Sequence, residues 1–150
     1  MSKFVCVVDG RHSQMESNGI GRITHIGDSL SVVNPSWQVL FAGRDQKGRP
    51  QVWEHSSDLP KDGIFNNTIL RPVDEMIWWH RYGLPLLLRI TKPNVVILPN
   101  YGTWLDLGVP TVCYIPDLYH HLFFKPSSLL DAINQICQLW CIAQIFRTVK

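Results

Sequence analysis

An α/β fold with a mostly parallel sheet flanked by helices is predicted from three observations. The run Phe4-Val5-Cys6-Val7-Val8-Asp9 is β-branched and almost continuously apolar, the pattern of a strand buried on both faces of a parallel sheet. A glycine-rich stretch, Asn18-Gly19-Ile20-Gly21-Arg22-Ile23-Thr24, follows it and opens a segment in which Ile23, Ile26, Leu30 and Val33 recur at helical spacing. Further short apolar runs then alternate with helical or loop segments, as a sheet built through crossovers requires.

Each element can be justified in turn. Asn34-Pro35-Ser36 ends the first helix, and Gln38 to Gly43 supplies a second strand, so the opening third reads as a βαβ unit. From Arg44 to Asn67 the composition is polar, with Gly48, Pro50, Pro60 and Gly63; a long loop is predicted, with a brief strand at Val52-Trp53. Glu54, His55 and Asp58 in that loop read as solvated. Thr68-Ile69-Leu70 is a short strand candidate, and Asp74 is placed to cap a helix that starts at Glu75 and carries Ile77, Trp78 and Tyr82. Gly83 and Pro85 split that helix in two, Leu86-Leu87-Leu88 continue it, and Lys92-Pro93 ends it. Asn94 to Leu98 and Thr111 to Ile115 are two more strands, the first followed by the turn Pro99-Asn100-Tyr101-Gly102. The last segment, opened by Ser127 or Ser128, places Leu130, Ile133, Ile136, Cys137, Trp140, Cys141 and Ile145 on one side of an amphipathic helix.

The 150 residues are read as one domain, long enough to bury about 70% of the unfolded chain's surface. Apolar residues at 45%, charged residues at 17% and a formal charge of +2 describe a globular chain without a polyanion-binding surface, so nucleic acid is not an expected partner. No apolar signal region follows Met1, and the apolar runs 84–88 and 95–98 are far shorter than the roughly 20 residues a membrane span needs. A cytoplasmic location is expected, free or peripheral to a membrane. The four cysteines, at 6, 113, 137 and 141, show no Cys-x-x-Cys spacing and no disulfide framework; Cys137 and Cys141 read as buried small hydrophobes and no metal is expected.

The chemistry is expected at the carboxyl ends of the strands, where ligands of open α/β sheets sit. Gly19 and Gly21 have no Cβ, which lets backbone N–H groups approach a ligand, and a helix start carries roughly half a positive charge. The pair therefore reads either as a phosphate site or as simple relief of strain at a turn. Asn100 and the polar run Pro116-Asp117-Leu118-Tyr119-His120-His121 should emerge at the same edge.

On these residues the chain resembles the amino-terminal half of retaining glycosyltransferases of the GT-B fold, in the group-one family that includes sucrose, glycogen and lipopolysaccharide sugar transferases. The resemblance runs through Gly19-Ile20-Gly21-Arg22 at the first helix and Leu84-Pro85 before Lys92-Pro93-Asn94-Val95-Val96. It continues with Pro99-Asn100-Tyr101 and with Gly108-Val109-Pro110-Thr111-Val112 leading to Pro116-Asp117-Leu118. It implies a Rossmann-like domain that holds a sugar or lipid-linked acceptor and lends its glycine loop to a cleft where a second domain binds a nucleotide sugar. Gly19, Gly21 and Arg22, with Asn100 and Tyr101, would lie near the donor diphosphate or the acceptor. An acceptor hydroxyl would attack the anomeric carbon with retention, without metal or cofactor. Asp117 matches the aspartate of the family's His-Asp-Leu motif, but Pro116 replaces the histidine, leaving His120 or His121 either to reach the sugar site or to be plain exposed residues of a turn.

The family's serine-rich turn and its donor domain with paired glutamates do not follow, so a chain ending at Lys150 looks truncated. It is expected to be inactive alone, to need a separate donor-domain chain or to self-associate. Two further readings are a non-catalytic fragment or interaction module, and a dinucleotide-binding oxidoreductase. Against the last, Thr24 stands where Gly-x-Gly-x-x-Gly needs its third glycine.

Overall fold

The computed structural model describes residues 3–11, 19–60, 74–99, 106–114 and a discontinuous set between 125 and 143. Among them five strands form one sheet: β1 (Phe4–Asp9), β2 (Trp37–Arg44), β3 (Pro50–Trp53), β4 (Val95–Leu98) and β5 (Thr111–Cys113), in the order β3-β2-β1-β4-β5. The pairs β1·β2, β1·β4 and β4·β5 are parallel and β2·β3 is antiparallel, so the fold is α/β with a small mixed sheet. The β1·β2 register begins at Phe4 opposite Trp37, whose rings lie 4.8 Å apart.

Strand β1 is central, and its period of two sends alternate side chains into two cores. Cys6 and Val8 join Val39, Phe41 and Leu59 on one face; Val7 joins Ala42, Trp79, Leu84, Leu87, Leu88, Val96 and Leu98 on the other. Burial pushes the Cys6 thiol up from its ordinary 9.0 to about 11.

Helix α1 (Gly19–Val33) is the crossover between β1 and β2. The expected stripe is met only in part: Leu30 packs half-buried against the Cys6–Phe41 core, Ile26 and Val33 are exposed, the Ile23 side chain lies outside the described ones, and among those described the buried positions are Thr24 and Gly27. The reason is distance. A Cβ on Gly27 would stand 2.8 Å from the Phe41 ring and 3.2 Å from Val8, so the helix lies too close to the sheet for a larger residue on that face.

The expected polar loop after β2 is in part a hairpin. Asp45 accepts the backbone N–H groups of Lys47 and Arg49, its own N–H donates to the Arg49 carbonyl, and Gly48 takes φ 78°. This tight turn folds Pro50–Trp53 back along β2. Glu54, His55 and Asp58 are exposed, as expected, but between them Ser56 is buried in a short 3₁₀ turn, Ser56–Asp58. The Ser56 hydroxyl donates to the Asp28 carboxylate and lies 2.9 Å from His25 Nδ1, which pins this turn to α1.

The helix expected from Glu75 is wound wider, as a π segment (Asp74–Gly83), and continues without a gap into α2 (Leu84–Thr91). Its inner aromatic is Trp79, fully buried, whereas Trp78 and Tyr82 are exposed. A Cβ on Gly83 would stand 2.7 Å from Trp79, so this glycine is what lets the indole lie under the helix turn. Pro85 sits in the first turn of α2, where the winding changes, and has no N–H to donate to the preceding turn. Lys92 ends α2 in the left-handed conformation (φ 46°, ψ 56°), and the Asn94 side chain then accepts the Val5 N–H, extending the β1·β4 ladder by one residue.

The strand candidate 68–70 and the cysteine pair Cys137 and Cys141 lie outside the described residues. No helix among the described residues is long and apolar enough to cross a membrane.

Two outcomes follow from the core. Gly27→Ala gains up to about 1 kcal/mol of helix propensity but inserts a methyl against a fully buried ring, an overpacking that costs about 1–3 kcal/mol; its urea midpoint falls below that of the parent. The native state disfavours the Cys6 thiolate and the unfolded chain does not, so stability is intact below pH 9 and is lost as pH rises toward 11. Urea titrations across that range show a shallower decline in Cys6→Ala.

Candidate functional site

The sheet order reverses between β1 and β4: the chain first grows outward from β1 through β2 and β3, then returns to place β4 on the other side. Crevices for ligands in open α/β sheets open at such a point, outside the carboxyl ends of the strands. Because α1 crosses from β1 to a parallel β2, its amino terminus lies at this same edge.

The carboxyl end of β1 carries a buried charge cluster. Asp9 is two residues beyond Val7 and so faces the Trp79 core; Arg44, two beyond Ala42 on β2, faces it too. Arg11 Nε donates to Asp9 Oδ1 at 3.0 Å and Nη2 donates to Oδ2 at 2.8 Å, a bidentate pair with side chains only 11% and 5% exposed. Trp79 Nε1 donates to the same Oδ2 at 3.2 Å. The Arg11 guanidinium lies 4.8 Å over the Trp79 ring, and that of Arg44 lies 4.5 Å over Trp78 and 5.5 Å over Trp79. Arg11 Nη2 also approaches His80 Nε2 at 2.9 Å. A guanidinium only donates, so Nε2 is the acceptor in this contact. Arg11 Nη1 is buried with no hydrogen-bond partner among the described residues.

This arrangement is a rigid cationic shelf. Asp9 offsets one of the two guanidinium charges, leaving a net positive cluster beside His80 at the sheet edge, with Arg11 Nη1 buried and unfilled. Anions with several oxygens, phosphates foremost, match such a donor set. Among the described residues there is no cluster of three metal-ligating side chains.

Of the residues singled out in the sequence, Gly19, Gly21 and Arg22 form the first turn of α1 at this edge. Both glycines adopt helical backbone, which any residue adopts, so no turn conformation requires them there. Asn100, Tyr101, Asp117, His120 and His121 lie outside the described residues; Pro99, immediately before Asn100, is fully buried at the end of β4. The cluster of Asp9, Arg11, Arg44, Trp79 and His80 was missed. One signal was available: a carboxylate closing an otherwise apolar buried strand, with an arginine two residues on, must be paired.

No family model matches the sequence, and no curated protein or solved structure matches the chain.

Removing one partner of a buried pair leaves an uncompensated charge, at about 3–5 kcal/mol. Asp9→Ala should therefore lose stability of that order in denaturant titrations. The double variant Asp9→Ala/Arg11→Met, which removes both charges, should recover part of the loss.

Proposed function

We propose that this chain is the acceptor-side half of a nucleotide-sugar-dependent glycosyltransferase, and that the donor diphosphate comes against the carboxyl edge of β1 beside the first turn of α1. The observation that carries the reading is the Arg11 guanidinium, fixed by Asp9 and Trp79 at the end of the central strand with Nη1 buried and unfilled. The strand, glycine and helix order of the group-one enzymes supports it from the sequence side.

In this reading the reaction is transfer of a glycosyl group to an acceptor hydroxyl, with the nucleoside diphosphate leaving. Negative charge grows on the leaving oxygens, and a cation held in place beforehand stabilises it without reorganising. Arg11 supplies that cation, and the free amides of the first turn of α1 supply further donors. Gly19 and Gly21 keep the approach to those amides open. The acceptor is a sugar or lipid-linked sugar, and a donor-binding domain completes the cleft.

The test is binding, followed by the change in tryptophan emission as Trp78 and Trp79 report on the shelf. Uridine and guanosine diphosphates and inorganic pyrophosphate are titrated against the full chain. A saturable change is expected, weakened at least tenfold by Gly21→Val, with the thermal midpoint of that variant little changed. Arg11→Lys keeps a charge but loses the fork and should weaken binding as well. No response to millimolar diphosphate, or a response that neither variant alters, would overturn the reading. Labelled nucleotide sugars should not be turned over by these 150 residues without a donor-binding domain.

A further inference from the structure

Two exposed apolar stripes run along the helical segments, the first meeting the shelf only at Trp78. Along the continuous π segment and α2, Trp78, Tyr82, Leu86 and Ile90 fall at every fourth residue and are between 38% and 69% exposed. In the carboxyl-terminal segment, where described positions from 129 to 143 are helical, Leu129, Ile133, Ile136 and Trp140 are between 47% and 79% exposed. Their spacing of four, three and four residues is the anchor pattern of an amphipathic helix that lies in a groove.

A groove is present. Beside the first stripe a cleft of about 800 Å³ is lined by Tyr82, Leu86, Leu88, Leu107 and Val109, with Arg81, Arg89 and Asp106 among its polar residues. Both stripes are exposed in the same folded chain, so neither covers the other within it.

We propose that the occupant of this groove is the carboxyl-terminal helix of a second copy of this chain, and that the exchange is reciprocal. Each copy then presents its helix to the partner's groove and receives the partner's helix in its own, which closes a twofold dimer. Area supports this over a one-sided contact. The eight side chains expose on the order of 900 Å² per chain, so reciprocal docking removes on the order of 1,800 Å², within the usual range for a stable dimer, whereas a single helix in a single groove falls near or below its lower limit. The arrangement does not involve Arg11 or the first turn of α1, so it stands apart from the diphosphate reading.

The 150-residue chain is examined by light scattering on a sizing column at tens of micromolar, with circular dichroism confirming helix content. Twice the chain mass of 17.2 kDa is expected. Ile133→Glu/Ile136→Glu removes the helix anchors and Leu86→Glu blocks the groove; each should halve the mass. If Leu86→Glu loses helix content, Tyr82→Glu, at a more exposed residue lining the same cleft, replaces it. Mixing the two monomeric variants restores one of the two contacts, since the intact helix of the Leu86→Glu copy meets the intact groove of the other. Partial recovery of dimer on mixing, and only then, is expected. A monomeric parent, open-ended assemblies, or a dimer lost with the helix variant but untouched by both groove variants would each overturn the proposal.

Discussion

The Asp9 carboxylate is the contact on which the functional edge depends. It sits at the end of a strand buried on both faces, where an unpaired charge is untenable. It therefore gathers Arg11 from its own strand end and Trp79 from the π segment. That single group couples sheet, turn and helix: it fixes the guanidinium, draws Trp79 fully into the core and brings His80 next to Arg11. The wide winding of the π segment and the glycine at 83 make room for this indole. Wide turns inside helical segments frequently mark functional positions.

The two sides of the sheet solve different problems. The α1 side is tight and built from small contacts, with Gly27 against Phe41 and Thr24 fully buried, and it is tied to the loop by Asp28 and Ser56. The α2 side is built from large side chains, Trp79, Leu84, Leu87 and Leu88, and it holds the charged shelf at one end. A close-packed face holds the amino terminus of α1 at the sheet edge, while the aromatic face positions the arginines. Rigid support of this kind is what a binding edge requires, because a guanidinium free to move loses rotamer entropy whenever it meets a ligand.

Exposed apolar residues lie chiefly away from the shelf: on the outer faces of the π segment and α2, and in the helical segment near the carboxyl terminus. The shelf is polar and buried; the stripes are apolar and open.

The glycines expected in a turn are instead the first residues of α1, and Gly83-Pro85 changes the winding of a continuous helix without breaking it. By itself the sequence determined the strands β1, β2, β4 and β5, the brief strand at Val52-Trp53 and the stop at Lys92-Pro93. Each of these rests on local rules: uninterrupted apolar runs, the missing N–H of proline and the left-handed stop ahead of Pro93. Only the tertiary structure decided which faces point inward. Ile26 and Val33 gave way to Gly27 and Thr24 because the distance to Phe41, not hydropathy, sets the buried side of α1. Trp79 displaced Trp78 because Asp9 offers an acceptor to one indole and because π winding shifts the helix phase. The hairpin after β2 was legible in principle in Asp45 and Gly48, but their turn becomes a strand pairing only when β2 supplies the edge. The shelf itself joins residues about 70 positions apart along the chain, Asp9 and Arg11 with Trp79 and His80. No periodicity reports a contact of that range; it exists because alternate residues of β1 and β2 face the same core that the π segment covers.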